Sequence, residues 1–179
     1  MSQAVTGIES IELAPMGLNG AMPTTGWVKI VDIEDDSVSF TVPPLEKLKF
    51  RVEDKGGVRF VLPGETDGAA FNFKSLDLSG DKAKLLLGGD WDATTQEYDY
   101  PANPDILYLA VRLTSTAFQG KKFQLSIPAA AGNAGVANNF TKKGFIALSY
   151  EGEATTPSDA TGAAVSPWGY KFINVPATP

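Results

Sequence analysis

The chain contains neither cysteine nor histidine among its 179 residues. Without cysteine there can be no disulfide, no thiolate nucleophile and no zinc–thiolate site. Without histidine the chain lacks the commonest general acid and base, the commonest transition-metal ligand, and any Ser-His-Asp or Cys-His catalytic arrangement. Any catalysis would have to use carboxylates, lysines or tyrosines. We therefore predict that the protein is not an enzyme and that it uses no cofactor or metal.

Long hydrophobic runs and excess positive charge are also missing. No apolar run approaches the roughly 18 residues that span a membrane, and residues 1–20 lack the charged start and apolar stretch of a signal peptide. The net charge is −6 and the sequence pI is near 4.6. Because an acidic surface repels phosphate backbones, specific nucleic-acid binding is disfavoured. We expect a protein made in a cytoplasm, without membrane insertion.

Strand patterns dominate what is present. Residues 37–42 and 47–53 alternate between polar and apolar side chains, the period-2 pattern of a half-buried strand. The turn residues 54–57 then predict a hairpin into 58–62. Further strands are predicted at 27–33, 70–74, 91–100, 106–113, 122–127, 145–150 and 168–175.

The most apolar of these strands, 106–113, is predicted to be central. One of its faces is fully apolar, and Tyr108 and Arg112 lie on the other, where they are expected to meet a second surface. The apolar face consists of Leu107, Leu109, Val111 and Leu113.

One short helix is predicted over residues 80–87. Ser79 is placed as its N-cap, Gly88 and Gly89 form its C-terminal stop, and its apolar face consists of Ala83, Leu86 and Leu87. The expected fold class is mostly β: a β-sandwich or barrel with one short flanking α-helix that covers an open end or edge.

The sequence does not decide the structure of two segments. Residues 128–139 are almost all small and predict either a flexible loop or a segment packed closely against another surface. Residues 1–154 are expected to form one β domain, and 155–167 read as a linker. The aromatic strand that follows must dock, either on its own sheet or on a neighbouring subunit.

Three acidic groupings are candidates for a metal site or a carboxylate pair. They are Glu34-Asp35-Asp36, Asp77 with Asp81, and Asp90 with Asp92. None has an EF-hand spacing, so a turn or cap is the predicted role of each. On the hairpin, Lys47, Lys49 and Arg51 form a basic face that is either solvated or bonded to another subunit.

Several features follow one another in a characteristic order. An acidic turn at 32–36 precedes the alternating segment, a charged hairpin occupies 46–62, and a phenylalanine strand runs into a short helix ending in glycines over 71–91. A Phe-x-Leu-x-Ile-Pro strand at 123–128 comes later. In this order, over roughly residues 27–153, the sequence resembles the major tail tube proteins of long-tailed bacteriophages.

The resemblance implies a tail-tube-like fold, hexameric rings stacked into a hollow tube that conducts DNA, and no catalytic residues. It also implies that a hairpin and the chain termini bridge neighbouring rings. The matching inter-subunit candidates are Lys47, Lys49, Arg51, Lys55, Trp168, Tyr170 and Phe172. Acidic residues suit a channel through which DNA passes without specific binding. The candidates for lining the lumen are Asp32, Glu34, Asp35 and Asp36. These residues could equally face outward.

On this interpretation the protein belongs to the tail of a virion, is assembled in the host bacterial cytoplasm, and binds copies of itself and other tail proteins. Two alternatives stay open. One is another ring of a virion or injection machine, in the neck, baseplate or a secretion tube. The other is a carbohydrate-binding β-sandwich with Trp91, Tyr98 and Tyr100 as the stacking platform.

Overall fold

The computed structural model describes residues 5–52, 55–64, 68–137 and 144–175. Within these ranges the chain forms twelve strands, one α-helix and a short 3-10 turn, so the expected mostly-β class with a single short helix is confirmed. The strands are β1 (Ile8–Pro15), β2 (Val28–Ile30), β3 (Ser39–Thr41), β4 (Lys47–Val52), β5 (Lys55–Pro63), β6 (Ala70–Ser75), β7 (Asp90–Asp92), β8 (Glu97–Asp99), β9 (Leu107–Ser115), β10 (Lys121–Ala137), β11 (Ala147–Ala154) and β12 (Gly169–Asn174). The helix α1 is Gly80–Leu87, and the 3-10 turn is Leu18–Gly20.

Eight strands form one antiparallel sheet in the order β2-β1-β9-β10-β11-β6-β3, with β12 added to β10. Strand β10 is long enough to hold two neighbours along one edge: its first part pairs with β12 and its second part with β11. Its other edge pairs with β9. The remaining strands form two separate hairpins, β4–β5 and β7–β8.

The segment that follows β2 joins the two ends of this sheet. The Glu34 amide donates to the Lys74 carbonyl oxygen at 3.0 Å, and the Leu76 amide donates to the Asp32 carbonyl oxygen at 2.8 Å. Between them Ile33 pairs with Ser75 at the end of β6. Because β2 begins the strand order and β6 lies near its other end, these bonds close the sheet on itself as in a barrel.

The enclosed core comes mainly from the strands predicted by alternation. In β9, Leu109, Val111 and Leu113 are buried, as the alternating pattern predicts. The second face of β9 also meets other groups, since the Arg112 guanidinium lies 4.0 Å from the centroid of the Trp27 ring. Facing residues complete the core: Ile11, Leu13, Ile30, Phe71, Phe73, Leu125, Ile127, Leu148 and Tyr150.

The small-residue segment is a strand as far as the structure describes it. Residues 128–137 continue β10 and pair with β9 and β11, so the flexible-loop alternative is wrong there. Close packing holds for residues 128–132, whereas Asn133, Gly135 and Val136 are exposed. Residues 138–139 lie outside the described ranges. The small side chains are needed because a Cβ at Gly132 would lie 2.3 Å from Cε2 of Tyr150, and one at Gly152 would lie 2.6 Å from its hydroxyl oxygen.

The helix has the predicted bounds and the predicted buried face of Ala83, Leu86 and Leu87. Ser79 occupies the N-cap position, although its side chain makes no capping hydrogen bond. At the other end Gly88 has a positive φ of 74°, and its amide donates to the Lys84 carbonyl oxygen at 3.0 Å. Glycine tolerates this backbone conformation, so the helix ends where the sequence predicts.

Two elements differ from the sequence expectation. Residues 91–100 form the hairpin β7–β8 and not a single strand, because the chain reverses at residues 93–96, where Gln96 has φ of 57°. Strand β1 has no counterpart in the prediction, although Ile11, Leu13 and Ala14 are buried in it. A register shift between Ile8 and Ser10 interrupts its alternation and hides its period.

Candidate functional site

The hairpin β4–β5 is the most exposed element among the described residues. Its two strands pair only with each other. Leu48 lies opposite Leu62 and Phe50 opposite Phe60, so these four apolar side chains share one face. Each of the four is between 48% and 56% exposed. A two-stranded hairpin is only marginally stable alone, and a half-exposed apolar face of this size is typical of a surface that meets a partner.

The opposite face of the hairpin, called here the basic face, carries the cations of β4 beside the exposed Val58 and Val61 of β5. Lys47, Lys49 and Arg51 alternate along β4 on this face, and all three are exposed. None forms a salt bridge with a described carboxylate. Lys55 begins β5, but its side chain lies outside the described set. The structure therefore brings three of the four basic candidates together on one free surface.

The aromatic C-terminal segment docks on its own sheet. Strand β12 pairs with the first part of β10 of the same chain. Trp168 meets the ring of Phe40 edge-on at a centroid distance of 5.3 Å, and Phe172 meets Phe123 at 5.8 Å. Tyr170 nevertheless stays 61% exposed. All three rings therefore pack within the chain, and Tyr170, whose ring centroid lies 5.3 Å from that of Phe123, also keeps an exposed surface.

The residues between β11 and β12 form a loop that is held by internal hydrogen bonds. Asp159 accepts from the amides of Thr161 and Ala163 at 2.8 and 2.9 Å and from the Thr161 hydroxyl at 2.7 Å. These hydrogen bonds lower the pKa of the exposed Asp159 carboxyl, and the bond from the Thr161 side chain has the largest effect. At the start of the loop, Thr155 donates to the Ala129 carbonyl oxygen. The segment predicted as a linker is thus tied to β10.

The acidic candidates occupy the turn that closes the sheet. Asp32, Asp35 and Asp36 are exposed, and Asp32 and Asp36 have positive φ values of 49° and 58°. Glu34 is half-buried, with a carboxylate oxygen 3.8 Å from Nζ of Lys74. Glu34, Asp35 and Asp36 also line a surface cavity of about 430 Å³. The structure therefore gathers all four candidates at one place.

The other two acidic groupings have structural partners. Asp77 accepts from the Ser79 amide at 2.9 Å and from Lys82, at the start of α1. Asp92 accepts from the Thr94 amide at 2.7 Å in the β7–β8 turn, and hydrogen bonds from Thr94 and Thr95 lower its pKa. The predicted cap and turn roles are confirmed for Asp77 and Asp92, while Asp90 lies 3.2 Å from Nζ of Lys84. Among the described residues no group of three or more acidic side chains is placed to hold a metal ion.

The aromatic residues of the carbohydrate alternative are engaged in packing. A Cβ at Gly80 would lie 1.8 Å from the Trp91 ring, so α1 presses directly on this tryptophan. The Tyr98 hydroxyl donates to the Gly88 carbonyl oxygen at 2.8 Å, and burial raises its pKa. Only Tyr100 is largely exposed. Two of the three residues therefore fasten the β7–β8 hairpin to the helix.

One surface has no counterpart among the sequence candidates. A groove of about 580 Å³ runs over β6, β11 and β10, with a floor of small residues and the carboxylates of Glu151 and Glu153 on it. The floor consists of Gly68, Ala70, Ala131, Gly132 and Gly152. The alternation of Glu151, Gly152 and Glu153 predicts that the two carboxylates point outward. The sequence does not show which strands lie on either side of them.

Behind this groove lies a buried tyrosine. Tyr150 is 1% exposed, its hydroxyl has no hydrogen-bond partner among the described residues, and burial raises its pKa. Its ring packs against Phe73 at a centroid distance of 5.3 Å. Tyr150 therefore acts as a core residue that fixes the spacing of β10 and β11.

The fold and these surfaces define a closed β-sheet protein with a projecting hairpin that is apolar on one face and basic on the other. Comparison with models of known protein families gives no match, and comparison with curated proteins gives none either. In the part of the chain that the structure describes, no helix has the length and apolar character needed to cross a membrane.

Proposed function

We propose that the protein is the structural subunit of a phage tail tube, which forms hexameric rings stacked into a hollow tube that conducts DNA. The observation that supports this most is the hairpin β4–β5. Its apolar face is half exposed, and its three described cations on the other face lack acidic partners within the described chain. Both faces of the element are thus available for contact with another molecule.

A second copy of the chain is the partner that fits best. The hairpin is basic, whereas the whole chain has a net charge of −6, so other regions of the same protein carry the complementary charge. A contact between different surfaces of identical subunits is heterologous, and such contacts generate rings or stacked filaments. This geometry supports rings joined by projecting arms.

The charge of the protein also suits a conduit for DNA. Three exposed aspartates, Asp32, Asp35 and Asp36, cluster on the turn that closes the sheet. Facing a lumen, they would repel the phosphate backbone and keep the nucleic acid from sticking. On this proposal the protein belongs to the tail of a virion, is assembled in the host bacterial cytoplasm and also contacts other tail proteins.

A ring of the neck, baseplate or a secretion tube would use the same surfaces, and rings that never stack would favour it. The carbohydrate-binding alternative has weaker support, because Trp91 and Tyr98 pack against α1. Binding of sugars by that platform would require the hairpin to leave the helix.

Self-association through the hairpin can be tested with the double variant Leu48→Ser/Phe50→Ser. We expect the wild-type protein to sediment as large assemblies at high concentration and the variant to stay monomeric, because the variant loses the apolar contact. The free energy of unfolding of the monomer should change by about 1 kcal/mol or less, since both side chains are already half exposed.

Leu18→Ser is the matched control, because Leu18 is 90% exposed but lies away from the hairpin in the 3-10 turn. This variant should assemble as the wild type does. If the Leu48→Ser/Phe50→Ser variant also assembles like the wild type, the hairpin is not the assembly arm.

A further inference from the structure

We infer that the groove over β6, β11 and β10 receives the basic face of the hairpin of a second copy of this chain. The inference rests on the proposed self-assembly and deepens it, because it names the surface on which the arm docks. It follows from three features: the unpaired carboxylates of the groove, its floor of small residues, and the spacing of the charges on the two partners.

No cation of the described residues forms a salt bridge with either carboxylate of the groove. Across the sheet Glu151 lies between Asn133 and Asn72, and Glu153 lies between Ala131 and Ala70. Both glutamates are exposed. The Gly68 amide donates to Oε1 of Glu153 at 2.7 Å.

The floor of the groove leaves room for long side chains. Ala70 of β6 and Ala131 of β10 flank Glu153 on the outer face, and their short side chains help to leave the space of about 580 Å³ above the sheet. Gly132 and Gly152 belong to the opposite face, where Tyr150 fills the space of their missing side chains. A lysine or arginine stem can therefore lie along the floor while its charged end meets a carboxylate.

The charges on the two partners have the same spacing. Glu151 and Glu153 are two residues apart on one face of β11, and Lys47 and Lys49 are two residues apart on one face of β4. Because an extended strand rises about 3.3 Å per residue, both pairs repeat at about 6.6 Å. One extended strand laid over the other can therefore align two ion pairs at once.

The acidic turn at residues 32–36 fits this role less well. Its half-buried glutamate is already within 3.8 Å of Lys74, and two of its aspartates lie on left-handed backbone that breaks the two-residue repeat. A straight basic strand matches the regular ladder of β11 better than it matches a turn.

Thiol cross-linking tests this docking in solution, because the chain has no cysteine of its own. Lys49→Cys and Glu151→Cys are made in separate chains carrying tags of different mass, mixed under assembly conditions and treated with a short bismaleimide. A bifunctional reagent is needed because a disulfide requires Cα atoms within about 7 Å, closer than the extended lysine and glutamate side chains of an ion pair place them. We expect a cross-linked heterodimer, at a yield roughly tenfold above that of the control mixture of Lys49→Cys with Asp35→Cys.

Charge reversal gives a second readout without cysteine. Glu151→Lys/Glu153→Lys should weaken self-association about tenfold or more, and Lys47→Glu/Lys49→Glu in the same chain should restore it. Asp35→Lys/Asp36→Lys carries the same charge change and should leave assembly close to that of the wild type. Circular dichroism of each variant establishes that the sheet is intact.

The outcomes separate the docking site from the proposed function. Stacked tubes with a cross-link to Asp35→Cys, or with no rescue by charge reversal, would overturn the groove and leave the tube proposal standing. A cross-link to Glu151→Cys in rings that never stack would support the groove and overturn the tube. A protein that stays monomeric and never cross-links would overturn both.

Discussion

At the scale of single residues, the fit between Tyr150 and the glycines opposite it determines how β10 and β11 pack. Gly132 and Gly152 are cross-strand partners, and the ring of Tyr150 fills the space where their side chains would lie. The sequence shows a run of small residues and a tyrosine, but not that they meet. That contact depends on the pairing of two strands, so no local pattern could predict it.

Gly132→Ala should destabilise the protein by roughly 1–3 kcal/mol, because the new methyl group overpacks the core against Tyr150. Urea denaturation of the variant and the wild type measures this difference in the free energy of unfolding. Gly135→Ala is the matched control on the same strand, since a Cβ there meets nothing within 4 Å, and it should be close to neutral. Equal effects of the two substitutions would show that the Tyr150 contact does not limit the packing.

At the scale of elements, local signals predicted the helix and most strands. Helix α1 has its predicted ends because Gly88 and Gly89, both with φ of 74°, stop it. Strand β9 was predicted from its alternation. The sequence does not predict β1, because a bulge breaks its period, and it does not settle the continuation of β10, because alanine and glycine have low strand propensity. Pairing on both edges overrides that preference.

The start of α1 should depend on the charge of Asp77. Burial raises the pKa of this carboxyl, but hydrogen bonds from Lys82 and Ser79 outweigh it, so the pKa lies below the ordinary value of 3.8. A lowered pKa stabilises the fold above pH 3.8, and this contribution is lost as the pH falls through the folded-state value. Asp77→Asn should therefore lower the free energy of unfolding by about 1 kcal/mol at pH 7.

Measured against pH, the stability difference between wild type and Asp77→Asn should shrink below pH 3.8. Asp90→Asn is the control, because this carboxylate is largely exposed although it lies 3.2 Å from Nζ of Lys84. It should have a smaller effect, which added salt reduces further. A difference for Asp77→Asn that does not change with pH would show that its charge has no part in holding the helix.

At the scale of the whole molecule, the sequence predicts which kinds of surface the protein carries, but not how the fold arranges them. The basic face of the hairpin could be derived from the alternation of Lys47, Lys49 and Arg51. The groove with Glu151 and Glu153 could not, because it depends on three strands placed side by side by the closed sheet. The aromatic C-terminal strand was expected to dock, and only the fold shows that it pairs with β10 of its own chain.

The proposed self-assembly would bring these surfaces together. A chain with a projecting apolar and basic arm, an acidic groove and a net charge of −6 has complementary surfaces on one subunit. Rings held by such contacts should weaken as salt screens the ion pairs, while the apolar face of the hairpin should keep part of the attraction. Such a contact between different surfaces of identical subunits can be repeated from copy to copy, in a closed ring or in a stack of rings.

Electron microscopy of the purified protein at high concentration and low salt tests the tube most directly. The account predicts six-fold rings stacked into hollow tubes, with the β4–β5 hairpin of each subunit lying against the groove of its neighbour. A protein that remains a dispersed monomer under these conditions, and is also absent from the tail of any virion, would contradict it.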